Sequence, residues 1–239
     1  MENKKVTYRG YVPTDKKQFA DDKIEVLQKA QTEVHWLLDK DYPIKNAIDF
    51  VCNHYMLSTR QRLALLRATA PTLAVKKRKE KEVFNCTNKT IHIDGFNLII
   101  TLEVALSQST IIKCMDGTIR DLAEIRGTYR VIDKTDKAVE LIGNKLNDMN
   151  IAEVIFYLDS QVSNTGRLKK KIFEILNIFN YEVSVKVINN VDFILKEKDY
   201  VVTTDAIILN KCVSWINLAS DIISKDICDS KYINLKAMV

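Results

Sequence analysis

The sequence predicts an α/β domain built on a mainly parallel sheet and preceded by a small all-α unit. Three observations carry this expectation. From Thr90 onward, short apolar runs that read as strands alternate with segments of helical periodicity, which is the pattern of β-α units. Before Thr69 there is almost no strand signal, and apolar residues recur at helical spacing. Between the two lies KKRKEKE (Lys76–Glu82), a charged run with no apolar face. The expected division is a helical domain over 1–75 with possible nucleic-acid binding, a charged linker over 76–89 and the α/β domain over 90–239.

The elements follow in order. In DDKIEVLQKAQTEVHWLLDKD, Ile24, Leu27, Ala30, Val34, Leu37 and Leu38 recur at helical spacing. Tyr42-Pro43 interrupts that helix and opens a second, IKNAIDFVCNHYM. Ser58 and Thr59 give a cap-like start to a third, RQRLALLRATA. The arrangement resembles a helix-turn-helix, a pattern that any small helical bundle shares. In the second part IHIDG is a strand running into the helix NLIITLEVALS. TIIKCM and VIFYLD are further strands, GRLKKKIFEILNIFN is an amphipathic helix, and YEVSVKVI and YVVTTD are strands again. Trp36 and Trp215 sit among apolar residues and are expected in the core. There is no internal repeat.

Composition narrows the function. At 46% hydrophobic and 28% charged, the 239 residues read as globular. The net charge of +5 permits an acidic partner such as RNA without demanding one. Five scattered cysteines with no CxxC pair argue for reduced thiols and against a structural zinc site. His35, His54 and His92 lack metal-ligand spacing, so carboxylates offer far more catalytic material than imidazoles. No run of about 18 uncharged apolar residues exists, and MENKKVTYRG lacks the apolar core of a signal peptide. A cytoplasmic protein without membrane association is expected.

The carboxylates are distributed suggestively. Three proposed strands end in aspartate: Asp94, Asp159 and Asp205. A fourth acid, Asp192, follows YEVSVKVI where a short helix is plausible. Ligands of open α/β sheets sit beyond the carboxyl ends of the strands. Acids converging there would repel one another unless cations lay between them, and hard oxygen donors select Mg²⁺ or Mn²⁺. Two such ions could activate water and stabilise the leaving oxygen in phosphodiester hydrolysis. Asp and Asn after strands also make turns and cap helices, and that reading competes at each position taken singly.

IDGFNL (Ile93–Leu98) resembles the opening motif of the NYN branch of the PIN-like nuclease superfamily. VDFILKEKDYVVTTDAIIL is similar to the closing PIN pattern, and VIFYLD to its middle strand. The resemblance spans about residues 90–225. It implies a PIN-like three-layer, parallel-sheet fold, metal binding and catalysis by Asp94, Asp159, Asp192 and Asp205, and supporting polar roles for Asn97 and Thr203 or Thr204. The whole chain also resembles the largely archaeal domain of unknown function 434 group, through YPIKNAIDFVCNHYMLSTRQRLALLRA, DGTIRD, GTYR and DSQVSNTGRL.

Three further segments carry chemistry. KCMDGTIRDLAEIRGTYR crowds Asp116, Arg120, Asp121, Arg126 and Arg130 around two glycines. Arg120, Asp121 and Arg130 are candidate substrate contacts, or else part of a turn with surface ion partners. DGTIRD resembles the first motif of haloacid-dehalogenase-type phosphatases, but Cys114 stands where the nucleophilic aspartate belongs. In DSQVSNTGRLKKK, Ser163, Asn164, Thr165 and Gly166 precede a helix, with Arg167 beside them, so free N–H groups could hold a phosphate; a simple N-cap explains them equally well. Arg60 and Arg67, spaced by seven, could meet a nucleic-acid backbone, or cover hydrophobic stems and pair with local acids.

The expectation is a Mg²⁺- or Mn²⁺-dependent ribonuclease acting on RNA, with Asn97, Ser163, Asn164, Gly166, Arg167, Thr203 and Thr204 among its substrate-side groups. The alternatives are an RNA- or protein-binding module that does not cut, and a phosphatase or nucleotide-handling enzyme.

Overall fold

The computed structural model describes residues 6–125, 127–227 and 232–235; Arg126 and Cys228 lie outside the described residues. The helical part comprises α1 (Asp15–Gln18), α2 (Asp21–Leu38), α3 (Ile44–His54), α4 (Thr59–Ala68) and α5 (Thr72–Glu80). Then follow β1 (Thr90–Asp94), α6 (Gly95–Leu106), β2 (Ile111–Lys113), β3 (Ile119–Asp121), α7 (Thr135–Asp148) and β4 (Glu153–Asp159). The chain continues through α8 (Thr165–Leu176), β5 (Glu182–Ile188), α9 (Val191–Leu195), β6 (Val201–Val202), α10 (Ala206–Lys211), α11 (Leu218–Asp226) and β7 (Tyr232–Asn234).

Ser58 starts α4 as expected: its hydroxyl accepts from the Gln61 N–H at 3.2 Å, and the Gln61 side chain accepts from the Ser58 N–H at 3.0 Å, a full capping box. The run read as a linker behaves otherwise. Lys76–Glu80 continues α5, because Arg78 turns inward and is only 3% exposed. Trp36 is also placed differently from the expectation: it is 60% exposed. The buried face of α2 carries Leu27, Ala30, Val34 and Leu38, and a residue two positions past Val34 points about 200° away from it. Trp215 is fully buried, donating its indole N–H to the Arg78 carbonyl at 2.6 Å.

The main sheet has the order β5-β4-β1-β6, with every pair parallel. One of its faces packs Ile91, Ile93, Val154, Phe156 and Val202 against α6, α7, α8 and α11. The opposite face packs Ile155, Tyr157 and Val201 against α9, α10 and Trp215. Successive strand side chains point to opposite faces, so near-continuous apolar runs such as VIFYL are what two covering layers require.

TIIKCM does contain a strand, but it lies in a second sheet of order β3-β2-β7, where β2 pairs antiparallel with β3 and parallel with β7. Its two faces explain why. Ile111 belongs to the core of the main α/β unit, whereas Ile112 joins Leu27, Val34, Val51 and Leu65 in a core shared with α2–α4. The small sheet thus joins the helical part to the α/β part. A buried ion pair, Arg9 Nε to Glu103 at 2.5 Å, ties the segment before α1 to α6. Tyr129 donates to Glu103 at 2.8 Å and stacks under the Arg9 guanidinium.

Gly95, the first residue of α6, sits where the helix presses on β4. A Cβ there would lie 2.5 Å from Leu158 Cδ2 and 3.1 Å from the Tyr157 carbonyl oxygen. Helix propensity favours alanine by at most about 1 kcal/mol, while forcing a methyl into a packed core costs about 1–3 kcal/mol. Gly95→Ala is expected to destabilise by about 1–2 kcal/mol, read as a lower urea midpoint at unchanged slope; an equal or higher midpoint would contradict the close approach. No helix among the described residues is long and apolar enough to cross a membrane.

Candidate acidic site at the sheet edge

After β1 the chain moves to β4 on one side, and after β5 it crosses back to β6 on the other. The strand order therefore reverses between β1 and β6, the position where open α/β sheets leave a crevice. Parallel register sets Ile93 opposite Val202, so Asp94 and Thr203 fall side by side at that point. The Thr203 hydroxyl donates to Asp94 Oδ2 at 2.9 Å and accepts from the Asp205 N–H at 3.1 Å. Asp159 lies two residues beyond the β4 partner of Asp94, Tyr157.

The four acids form one electrostatic group. Burial pushes the Asp94 carboxyl up to about 7; the Thr203 hydrogen bond opposes this, and the charges of Asp205 and Asp192 add to it. Asp192, in the first turn of α9, is raised by its loss of hydration and then by Asp205 and Asp159. None of the four is paired with a lysine or arginine among the described residues. Local turn and cap chemistry accounts for part of the pattern. Asp205 caps α10 by accepting from the Ile207 and Ile208 N–H groups, and Asp159 accepts from the Gln161 N–H at 2.8 Å. Asp94 stands at the start of α6 with its side chain bonded to Thr203, and the nearby Asn97 backbone N–H also favours its charged form. Among the described residues no three His, Cys, Asp or Glu side chains are grouped so as to hold a metal ion as they stand.

Asn97 braces the edge. Its Oδ1 accepts from the Thr204 N–H at 2.8 Å and the Thr204 hydroxyl at 3.1 Å, so both threonines are occupied in holding the β6 end against α6. Arg120 clamps the same place from behind, donating through Nε to the Thr204 carbonyl at 2.7 Å and through NH2 to Asp116 at 2.7 Å. Its NH1 meets the Arg67 carbonyl. With 8% exposure and each of its three guanidinium nitrogens engaged by the protein, Arg120 faces inward and positions the β6 end, unlike the open substrate contact expected of it. Asp121 is likewise spent on Thr101, the Ala123 N–H and Arg67.

The Ser163 and Asn164 side chains are engaged within the protein. Both side chains donate to the Tyr129 carbonyl, at 2.9 and 2.7 Å, pinning the preceding loop to the start of α8. Asn164 takes a left-handed backbone, φ 61°. Gly166, Arg167 and Arg130 are exposed, and the two arginines carry no ion pair among the described residues. Arg60 is consumed by a two-pronged pair with Asp15 at 3.0 and 2.9 Å. In DGTIRD, Asp116 is the 2%-exposed partner of Arg78 and Arg120. Burial pushes the Cys114 thiol up to about 11. In that hairpin turn both Cys114 and Asp116 are buried, and the aspartate is held by Thr118, Arg78 and Arg120. His35 and His92 bond to the Ala70 carbonyl and the Tyr157 hydroxyl, as structural histidines do.

Residues 83–221 match the family described as Domain of unknown function (DUF5616), and residues 26–81 match the one described as Protein of unknown function (DUF434). The resemblance expected over the whole chain thus divides near the end of α5. The chain is similar to the Uncharacterized protein MJ0935 of Methanocaldococcus jannaschii, 39% identical over 185 residues that cover 77% of this chain and 88% of that protein. No solved structure matches.

Proposed function

We propose that this chain, which belongs to the DUF5616 family, is a metal-dependent ribonuclease whose α/β part is PIN-like. The observation that carries the reading is the gathering of Asp94, Asp192, Asp205 and Asp159 at the sheet's switch point with no basic partner among the described residues. An all-oxygen donor set with no direct ion pair to a lysine or arginine among the described residues suits a hard divalent cation. Mg²⁺ commonly takes only one or two carboxylates and keeps several waters, so the lack of a ready three-ligand group is compatible with it. Asp94 would be the central ligand, with Asp205, Asp192 and Asp159 around it. When bound, such an ion supplies an acidified water and neutralises charge on the phosphate. The chain does the rest: Thr203 orients Asp94, Asn97 and Arg120 hold Thr204, and the exposed Arg130 and Arg167 offer guanidinium forks to RNA phosphates.

The test is cleavage of labelled single-stranded RNA in Mg²⁺ or Mn²⁺ and in EDTA. Cleavage that requires the ion and disappears in Asp205→Asn is the expected result. Asparagine also caps helices, so α10 should survive that change. Activity untouched by EDTA would overturn the reading. The absence of a ready three-ligand group favours one second reading, an RNA-binding module that does not cut; RNA binding with no cleavage in either ion would select it.

A further inference from the structure

Beside the acidic edge, α4 and the first turns of α6 enclose a cleft of about 210 Å³, lined in part by Arg67, Phe96, Asn97, Ile100, Asp121 and Glu124. It is smaller than the roughly 300–1,000 Å³ of sites that take whole ligands, and matches a single flat ring system. Two features point to what enters. Because the Thr204 N–H must meet an oxygen, the Asn97 amide has one orientation, and its Nδ2 keeps no partner among the described residues. Arg67 uses only NH1, on the Asp121 carbonyl and carboxylate, which leaves Nε and NH2 unengaged among the described residues.

Two side chains with uncommitted donors therefore line a cleft that Phe96 and Ile100 also line. The cleft is small and partly apolar, and the Asp121 carboxylate beside Arg67 already balances that arginine's charge, which suits an uncharged base better than the phosphate backbone. We propose that this cleft is a base subsite of the RNA substrate, and that Arg67 and Asn97 read the acceptor edge of a guanine. Arginine meets guanine O6 and N7 as a fork, and Phe96 supplies an aromatic wall against which a base can pack. The proposal rests on the RNA reading above. It also gives the helical part a task at the catalytic edge, since Arg67 belongs to α4 and Asn97 to α6.

The test is fluorescence anisotropy in EDTA, so that nothing is cut, using labelled oligouridylate with and without one internal guanosine. Wild-type protein should bind the guanosine-containing strand about tenfold more tightly, the discrimination of one good forked contact. Arg67→Ala and Arg67→Lys should both lose that preference while keeping the circular dichroism spectrum of the folded chain. The lysine keeps the charge beside Asp121 but lacks the fork. Equal binding of the two strands by the wild type, or a preference that persists in both folded variants, would overturn the subsite. The two readings fail separately. A guanosine preference that depends on Arg67, in a protein that never cuts RNA, keeps the subsite and removes the nuclease. Cleavage without any such preference does the reverse.

Discussion

Asp94→Asn is expected to abolish ion-dependent RNA cleavage and, at the same time, to raise the unfolding temperature at pH 8. The two effects have one cause. The Asp94 carboxyl titrates near 7 in the folded chain against an ordinary 3.8, so between those values the folded state holds a proton that the unfolded state has released. Stability therefore falls as pH rises from about 4 through 7, and above 7 the full penalty of a buried, crowded charge is present. At 1.36 kcal/mol per pH unit, the rise corresponds to at most about 4 kcal/mol, reduced by the solvent that reaches part of the carboxyl. Asparagine is neutral throughout, still accepts from Thr203, and removes that slope. Added Mn²⁺ should raise the unfolding temperature of the wild type at pH 8, since ligands of the native state stabilise it by mass action, and should raise that of the variant much less. Differential scanning fluorimetry from pH 5 to 8, with and without Mn²⁺, reads both effects. A wild type whose stability is flat across that range, or a variant that responds to Mn²⁺ equally, would remove Asp94 from the centre of the site.

How much of this was legible beforehand depends on the range of the interaction concerned. Alternation of VIFYLD with amphipathic GRLKKKIFEIL pointed to parallel β-α units, because apolar period is a local property. Strand-end positions of Asp94, Asp159 and Asp205 followed from the same runs, and a parallel sheet collects its strand ends on one edge. Partner choice was not local. Nothing in TIIKCM says that Ile111 and Ile112 look into two different cores, since the strand is short and both neighbours are apolar. The choice between the alternatives open for the arginines was non-local for a related reason. Arg78, Arg120 and Arg60 look like solvated or substrate-facing charges in a linear reading, yet each meets an acid brought from elsewhere in the chain or from across a turn: Asp116 for the first two, Asp15 for the third. A signal existed in DGTIRD, where an acid and an arginine four residues apart flank a glycine turn, but the sequence does not reveal that α5 closes over it.

That closure sets up the largest expected loss of stability. Asp116 Oδ2 accepts from Arg78 NH1 at 2.6 Å and Arg120 NH2 at 2.7 Å, while Oδ1 accepts from the Thr118 N–H and hydroxyl at 3.1 and 2.6 Å. Burial opposes ionisation there, but Arg120, Thr118 and Arg78 outweigh it and hold the carboxyl below its ordinary value. Asp116→Ala would leave two guanidinium groups buried without their counter-ion, a change that costs about 3–5 kcal/mol. Because the folded carboxyl titrates lower than the unfolded one, its contribution is complete above about pH 4 and is lost as pH falls through the folded value; the variant should lack that acid-side slope. Arg120 also holds the Thr204 carbonyl at 2.7 Å, so its release should loosen the Asn97–Thr204 contact and lower cleavage per folded molecule even well below the unfolding temperature. A second substitution separates charge from volume. Arg78→Met in the Asp116→Ala background removes one stranded cation and should recover part of the loss in urea unfolding. If the double variant is less stable than the single one, the loss arises from packing, and the buried ion network is not what secures the β2–β3 turn to α5.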